Sequence, residues 1–321
     1  MHACGHDGHT SVGLGVAHWI ADHKDELCGT IKLLFQPAEE GTRGGLPMSE
    51  SGLLDDVNYI ICCHIGTNCK LGEIGICHKG FLATAKMDLT FTGTPAHAGS
   101  DPEKGRSALL AACNVATTLA GIPRNGQGDT RISIGKLSAG EGRNVVPVHA
   151  QMQIEVRGQT EAINQYMVDN VERIVKGVSE AYGVDYTIEK VGAATNLETS
   201  PEVSDTLEEI AKTIPFVKRL VPSDGISGSE DCTWLIRKVL SHGGKAGFFI
   251  FGCNQTGHHK GTFEIQDEQS LPEAFEMLTR FLLIKHNRST NKRDRFQWRS
   301  PFFLNKNIVL ISATLHSGNS P

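Results

Sequence analysis

Apolar positions along the chain fall into two textures. From the start to about residue 84, and again from about 192 to 286, unbroken apolar runs alternate with stretches of helical period. Val12, Val16, Trp19 and Ile20 share one side of a helix that Thr10 or Ser11 can cap and that runs to about His23. Thr30–Gln36 then reads as a strand ended by Pro37, and Tyr59-Ile60-Ile61-Cys62-Cys63 and Gly247–Phe251 read as further buried strands. Ser204–Thr213, a segment capped by Gly228-Ser229-Glu230-Asp231 and running through Leu240, and Leu271–Ile284 read as helices. Strands alternating with helices predict an α/β domain on a parallel sheet.

Between 85 and 191 the texture changes. Lys86–Phe91 and Ala150–Arg157 alternate apolar with polar as half-exposed strands do, and Ile132–Gly135 and Tyr186–Val191 complete a set of four. Helices are predicted over Leu109–Leu119 and from a Thr160 cap to about Tyr182. The order β-α-β-β-α-β is the ferredoxin-like pattern, a compact α+β domain inserted between two pieces of another. Beyond His286, a strongly basic stretch and the apolar run Phe302–Leu315 show neither cap nor clear period, so 287–321 is expected to be a poorly ordered tail.

Composition narrows the partners. A chain of 321 residues suggests two domains, and its formal net charge of -5 offers no basic surface for nucleic acid. Nothing marks a membrane face, and the nine cysteines show no framework spacing, so a cytoplasmic protein acting on a small molecule or another chain is expected.

The chemistry is concentrated in Met1-His2-Ala3-Cys4-Gly5-His6-Asp7-Gly8-His9, one thiol, three imidazoles and a carboxylate in one short turn. Thiolate and imidazole are the preferred ligands of borderline metals. Glu39 and Glu40 follow the first strand, His64 ends the second, and His258-His259 follow the strand at 247–251. Taken singly, each has an ordinary reading: a solvated acidic turn, a structural histidine. Together Cys4, His6, Glu40, His64 and His259 place ligands at strand ends and a helix start, where parallel sheets gather their chemistry. Five ligands suit two metal ions with a shared ligand, and Glu39 is left to take a proton from water and pass it to a leaving amine, as amide hydrolysis requires. Asp7 ranks above His2 and His9 as the group orienting a ligand.

The motifs Cys4-Gly5-His6-Asp7, Gln36-Pro37-Ala38-Glu39-Glu40-Gly41, His64-Ile65-Gly66, Thr94-Pro95-Ala96-His97-Ala98, Arg143-Asn144-Val145-Val146-Pro147 and His259-Lys260-Gly261-Thr262-Phe263 resemble, in order, those of the M20 metallopeptidase and amidohydrolase family. The likeness runs from Met1 to about Ile284, and the cysteine-containing turn resembles the branch that hydrolyses N-acyl amino acids. It implies a zinc-peptidase-like α/β catalytic domain over 1–84 and 192–286 with a ferredoxin-like dimerisation domain over 85–191. It implies two divalent ions, Mn²⁺ ahead of Zn²⁺, on Cys4, His6, Glu40, His64 and His259, with Glu39 as general acid/base. The spacing of four residues to Phe263 favours His259 over its neighbour His258.

By the same resemblance His97 and Asn144 approach the substrate, with His97 reaching into the site of the other subunit of a homodimer or heterodimer. Arg157 holds the substrate carboxylate or, as an equal rival, makes a strand-end ion pair. The substrate implied is an N-acyl or N-aroyl amino acid, p-aminobenzoyl-glutamate foremost. Members of the family carry a segment ahead of the metal turn, so the catalytic sheet is expected to be N-terminally incomplete. A truncated or non-catalytic subunit that dimerises with a complete homologue is the alternative expectation.

Overall fold

The computed structural model describes residues 4–225, 228–286 and 307–315. In chain order the elements are α1 (His6–Asp22), β1 (Thr30–Pro37), α2 (Gly45–Glu50), β2 (Tyr59–Ile65), β3 (Glu73–Cys77), β4 (Lys79–Gly80), β5 (Ala83–Thr92), α3 (Ala108–Leu119), β6 (Thr130–Ala139), β7 (His149–Gly158), α4 (Glu161–Tyr182), β8 (Asp185–Ala194), β9 (Leu197–Glu198), α5 (Pro201–Thr213), β10 (Arg219–Pro222), α6 (Thr233–Ser241), β11 (Lys245–Phe251), α7 (Asp267–His286) and β12 (Asn307–Leu315). They form two compact units, one from Met1–Gly80, Leu197–Ile226 and Glu230–Pro321, the other from Phe81–Asn196 with Ser227–Ser229. No described helix is long and apolar enough to cross a membrane.

The first unit is built on a six-stranded sheet in the order β1-β12-β2-β11-β3-β10. β1, β12, β2 and β11 run parallel, whereas β3 is antiparallel to β11, so the sheet is mixed rather than wholly parallel. Ile61, Cys63, Ile65, Phe249 and Phe251 pack with Val12 and Val16 of α1, Leu207 of α5 and Met277 and Phe281 of α7 in one core. α2 and α6 touch each other and also lie against β1 and against β2 and β11 respectively. Each fully buried Phe or Ile contributes about 1.5–3 kcal/mol, which sets the sheet's position firmly beneath its helices.

The tail expectation is corrected over nine residues: Asn307–Leu315 is a strand, inserted between β1 and β2 and parallel to both. The rest of 287–321 lies outside the described residues.

The second unit carries a four-stranded antiparallel sheet, order β6-β7-β5-β8, with α3 and α4 packed against Met87, Leu89, Phe91, Met152, Ile154 and Val156. Ser107 caps α3 by accepting the Leu110 amide, and Thr160 caps α4 by accepting the Ile163 amide at 3.3 Å.

One buried acid ties loops of the first unit together. Glu273 of α7 is 1% exposed, and its two oxygens accept the amides of Gly72 (2.9 Å) and Gly252 (3.2 Å). Burial raises its pKa to about 7, although both amides and Lys218 pull the other way. A pKa raised in the folded state adds stability that is complete below the unfolded value and is lost as pH rises through about 7. The urea midpoint should therefore fall between pH 5 and pH 8, and Glu273→Gln should flatten that fall. An equally steep profile in the variant would rule out Glu273 as the cause.

Candidate metal centre

The helix α1 begins earlier than its apolar stripe suggests. His6 already lies in its first turn, with Gly5 as N-cap at φ 92, and Thr10 and Ser11 sit inside it, their hydroxyls donating to the carbonyls of His6 (3.0 Å) and Asp7 (2.9 Å). Gly5 is required twice over. Its φ is one that side chains disfavour, and a Cβ there would stand 2.2 Å from Ile65 Cγ2 at the end of β2. The ligand turn is thereby pressed against the strand that delivers His64.

The first unit brings together every metal ligand expected from the sequence. The ligand atoms of Cys4, His6 and His64 lie within 4.8 Å of one another, and so do those of Cys4, Glu40 and His259, and of His6, Glu39 and Glu40. Cys4 belongs to the first two trios. Its Sγ is 3.6 Å from His64 Nε2, and Glu40 is 3.1 Å from His259 Nε2.

The histidines divide by what their second nitrogen does. His64 Nδ1 donates to the Ile65 carbonyl at 2.7 Å, so Nε2 keeps its lone pair toward Cys4. Burial, with His6 and His258 adding to it, pushes His64 down to about 3, which keeps the ring neutral and able to ligate. His258 Nε2 accepts the Thr67 amide at 3.1 Å, so its proton is on Nδ1, 3.2 Å from Cys4 Sγ. That ring is a donor to the thiol sulfur with no lone pair to spare, whereas His259 Nε2 faces Glu40 at 3.1 Å.

His6 Nε2 is buried, 3.0 Å from Glu39 and 3.5 Å from Glu40, yet off the line of a hydrogen bond to any group. A buried nitrogen held against two carboxylates without a bond fits a cation between them. Burial opposes its charge, but Cys4, Glu39 and Glu40 outweigh burial and raise its pKa. Burial also raises the Cys4 thiol, against the pull of His6, so the thiolate that a metal needs is stabilised by a cation and not by the apo site. The donor set of one thiol, three imidazoles and a carboxylate fits borderline divalent ions.

His9 stands behind His6. It is 3% exposed, its Nδ1 is 3.3 Å from His6 Nδ1, and its Nε2 accepts the Ile65 amide at 2.9 Å, while Asp7 is exposed.

Glu230 and Asp231, read from the sequence as capping acids, belong to this site instead. α6 starts only at Thr233, and Glu39, Glu230 and Asp231 form a buried carboxylate trio with oxygens within 4.8 Å. Burial, then the neighbouring Glu39, holds Glu230 well above the carboxylate range, and Glu230 lies 3.9 Å from His64 Nε2. The one signal in the sequence was a pair of acids next to a mainly apolar helix.

In the second unit, His97 is exposed and its Nδ1 accepts the amides of Gly99 (3.2 Å) and Ser100 (3.1 Å), so Nε2 carries the proton outward. The His97 strand bridges to Val145, and Ala98 donates to the Asn144 carbonyl at 2.9 Å, so the two motifs lie side by side. Arg157 is not with them. Thr92 pairs with His149 at one end of the β5–β7 ladder and Thr84 with Arg157 at the other, eight residues or roughly 27 Å away. Its Nη2 binds both Glu155 oxygens, at 3.0 and 3.1 Å, the strand-end ion pair that was its rival reading.

A mixed sheet under helices, with clustered Cys, His and Glu side chains at a helix start and at strand ends, points to a metallohydrolase family. The chain belongs to peptidase family M20/M25/M40, whose profile matches residues 1–284. It is 46% identical over 272 residues to a Haemophilus influenzae homolog of one of the subunits of p-aminobenzoyl-glutamate hydrolase, covering 84% of this chain and 64% of that one. It is 43% identical over 280 residues to the indole-3-acetyl-aspartic acid hydrolase of Enterobacter agglomerans, covering 87% and 64%. The crystal structure of the aminobenzoyl-glutamate utilization protein from Klebsiella pneumoniae superposes with a TM-score of 0.77 at 40% identity, covering 86% of this chain and 67% of that one. The chain thus spans under two thirds of the length of these two curated relatives.

Because Cys4 is common to two trios, its loss should be felt by both. Calorimetric titration with Mn²⁺ or Zn²⁺ should show Cys4→Ala weakening every ion-binding step, and His259→Ala weakening one. Equal single-step losses in both variants would refute a shared thiolate.

Proposed function

We propose that this chain is built to hydrolyse the amide of an N-acyl or N-aroyl amino acid, p-aminobenzoyl-glutamate foremost, with two divalent ions. The observation that carries the reading is the pair of ligand trios joined at Cys4, with a further carboxylate, Glu39, against their edge. Cys4, His6, Glu40, His64 and His259 would hold the ions, Mn²⁺ rather than Zn²⁺ in this proposal. When bound, such ions polarise an amide carbonyl and make water nucleophilic at neutral pH. Glu39, 7% exposed and outside the two Cys4 trios, takes the proton of the attacking water and returns it to the departing nitrogen. Glu230 lies beside it, held well above the carboxylate range by burial and by Glu39.

The β-α-β-β-α-β unit supports a further part of the proposal, a ferredoxin-like dimerisation module. His97, with its proton fixed on Nε2, is a ready donor to the oxyanion that forms on the amide oxygen, and Asn144 stands next to it. In the dimer we propose, with a second copy or a homologous chain, His97 serves the partner's site. The Haemophilus relative is named for one of several subunits, which supports a multisubunit assembly. For Arg157 the pairing with Glu155 supports the strand-end ion pair over a hold on the substrate carboxylate.

Release of p-aminobenzoate by the purified chain with Mn²⁺ tests the reading. Glu39→Gln should cost about a hundred- to ten-thousand-fold in turnover with ion content unchanged. Near-normal turnover in that variant would remove Glu39 from the chemistry. Turnover that appears only on mixing with a full-length homologue, and survives Glu39→Gln, would instead mark the chain as a non-catalytic partner.

A further inference from the structure

The turn that carries Glu39 and Glu40 cannot hold its own shape. Ala38 (φ 57) and Thr42 (φ 52), both non-glycine, are left-handed on either side of Glu39–Gly41. Its backbone closure is a single 3₁₀ turn, with Thr42 donating to the Glu39 carbonyl and Arg43 to the Ala38 carbonyl. Something outside must fix where it points.

We propose that Asp231 is the positioning residue of the Glu39–Glu40 turn, clamping both of its ends with one buried carboxylate. On the near side Oδ1 accepts from Gln36 Nε2, the last side chain of β1 before Pro37. On the far side Oδ2 accepts the amides of Gly44 (3.0 Å) and Gly45 (2.8 Å). Asp231 is 0% exposed and Gln36 2%. The approach is close enough to exclude side chains: a Cβ on Gly45 would lie 2.0 Å from the Asp231 carbonyl oxygen, and one on Gly44 1.7 Å from that of Pro37. The clamp rests on the reading of Glu39 as base and Glu40 as ligand, and makes Asp231 act through both while touching neither substrate nor ion.

One orphan atom makes the idea decidable. Gln36 Oε1 is buried without a hydrogen-bond partner. In Asp231→Asn the new amide oxygen can keep both glycine amides, and its NH₂ can donate to Gln36 once that amide turns over and presents Oε1. The Asn variant therefore keeps the clamp without the charge, whereas Asp231→Ala has neither.

Ion titration by calorimetry, alongside kcat and KM on p-aminobenzoyl-glutamate, separates the cases. Asp231→Ala should weaken one binding step, the one that needs Glu40, by about 10- to 100-fold and spare the step served by Cys4, His6 and His64. It should lower kcat by about 100-fold with KM little moved, as displacement of a base does. Asp231→Asn should recover most of both, and adding Gln36→Leu to it should undo the recovery. An Asn variant as damaged as the Ala variant would overturn the clamp in favour of a role for the charge, and an Ala variant that binds both ions normally would overturn it outright. If Asp231→Ala does not fold by circular dichroism, the Asn variant and its Gln36→Leu double decide alone. A wild-type chain that takes up ions without turnover would sink the hydrolase reading, and the ion titrations would still judge the clamp.

Discussion

A side chain at position 5 has nowhere to go. The Gly5 backbone is pressed onto Ile65 so closely that even a methyl group would overlap it, and Cys4, His6 and His64 flank that contact. Cys4 and His6 sit on either side of Gly5, His64 precedes Ile65, and the Ile65 amide is the group that His9 accepts while it backs His6. Four chemically active side chains are thus located by one van der Waals contact and one hydrogen bond between a helix start and a strand end. The arrangement costs little conformational entropy to hold because neither partner is a loop.

The carboxylate turn is held on the opposite principle. Two left-handed non-glycine residues cost about 1–2 kcal/mol each, and a three-residue turn has too few bonds of its own to offset that. Hydrogen bonds to a buried charge are worth about 1.5–3 kcal/mol apiece, so the three that Asp231 accepts are of the right size to keep the turn strained and fixed. Rigidity at Cys4 and His6 comes from packing; at Glu39 and Glu40 it comes from a counterweight placed about 190 residues along the chain.

The ligands could be read in the sequence because metal chemistry restricts residue types: thiol, imidazole and carboxylate at strand ends have few other reasons to gather. The same logic could not find Glu230 and Asp231, since two acids ahead of a helix have a commonplace explanation, and only the fold brings them to Glu39. The contact of His9 with His6 is hidden in the sequence, because it depends on the helical turn that puts both rings on the buried face. The alternating strands of the second unit were legible from their half-exposed faces. β3 was not, being five residues interrupted by glycine, nor was β12, whose strand character depends on two neighbours far away in sequence.

That last strand has a bearing on how the molecule is made. Thr30 of β1 pairs with Asn307, a separation of 277 residues (307 − 30), and β12 is what joins the strand leading to Glu39 and Glu40 to the strand leading to His64. On a ribosome, β1 and β2 emerge long before the strand that fits between them, so their pairing to it waits until residues 307–315 have been made. The two strands that lead to the candidate ligands are thus joined only through a contact of very long sequence separation, the kind whose loop-closure cost slows folding.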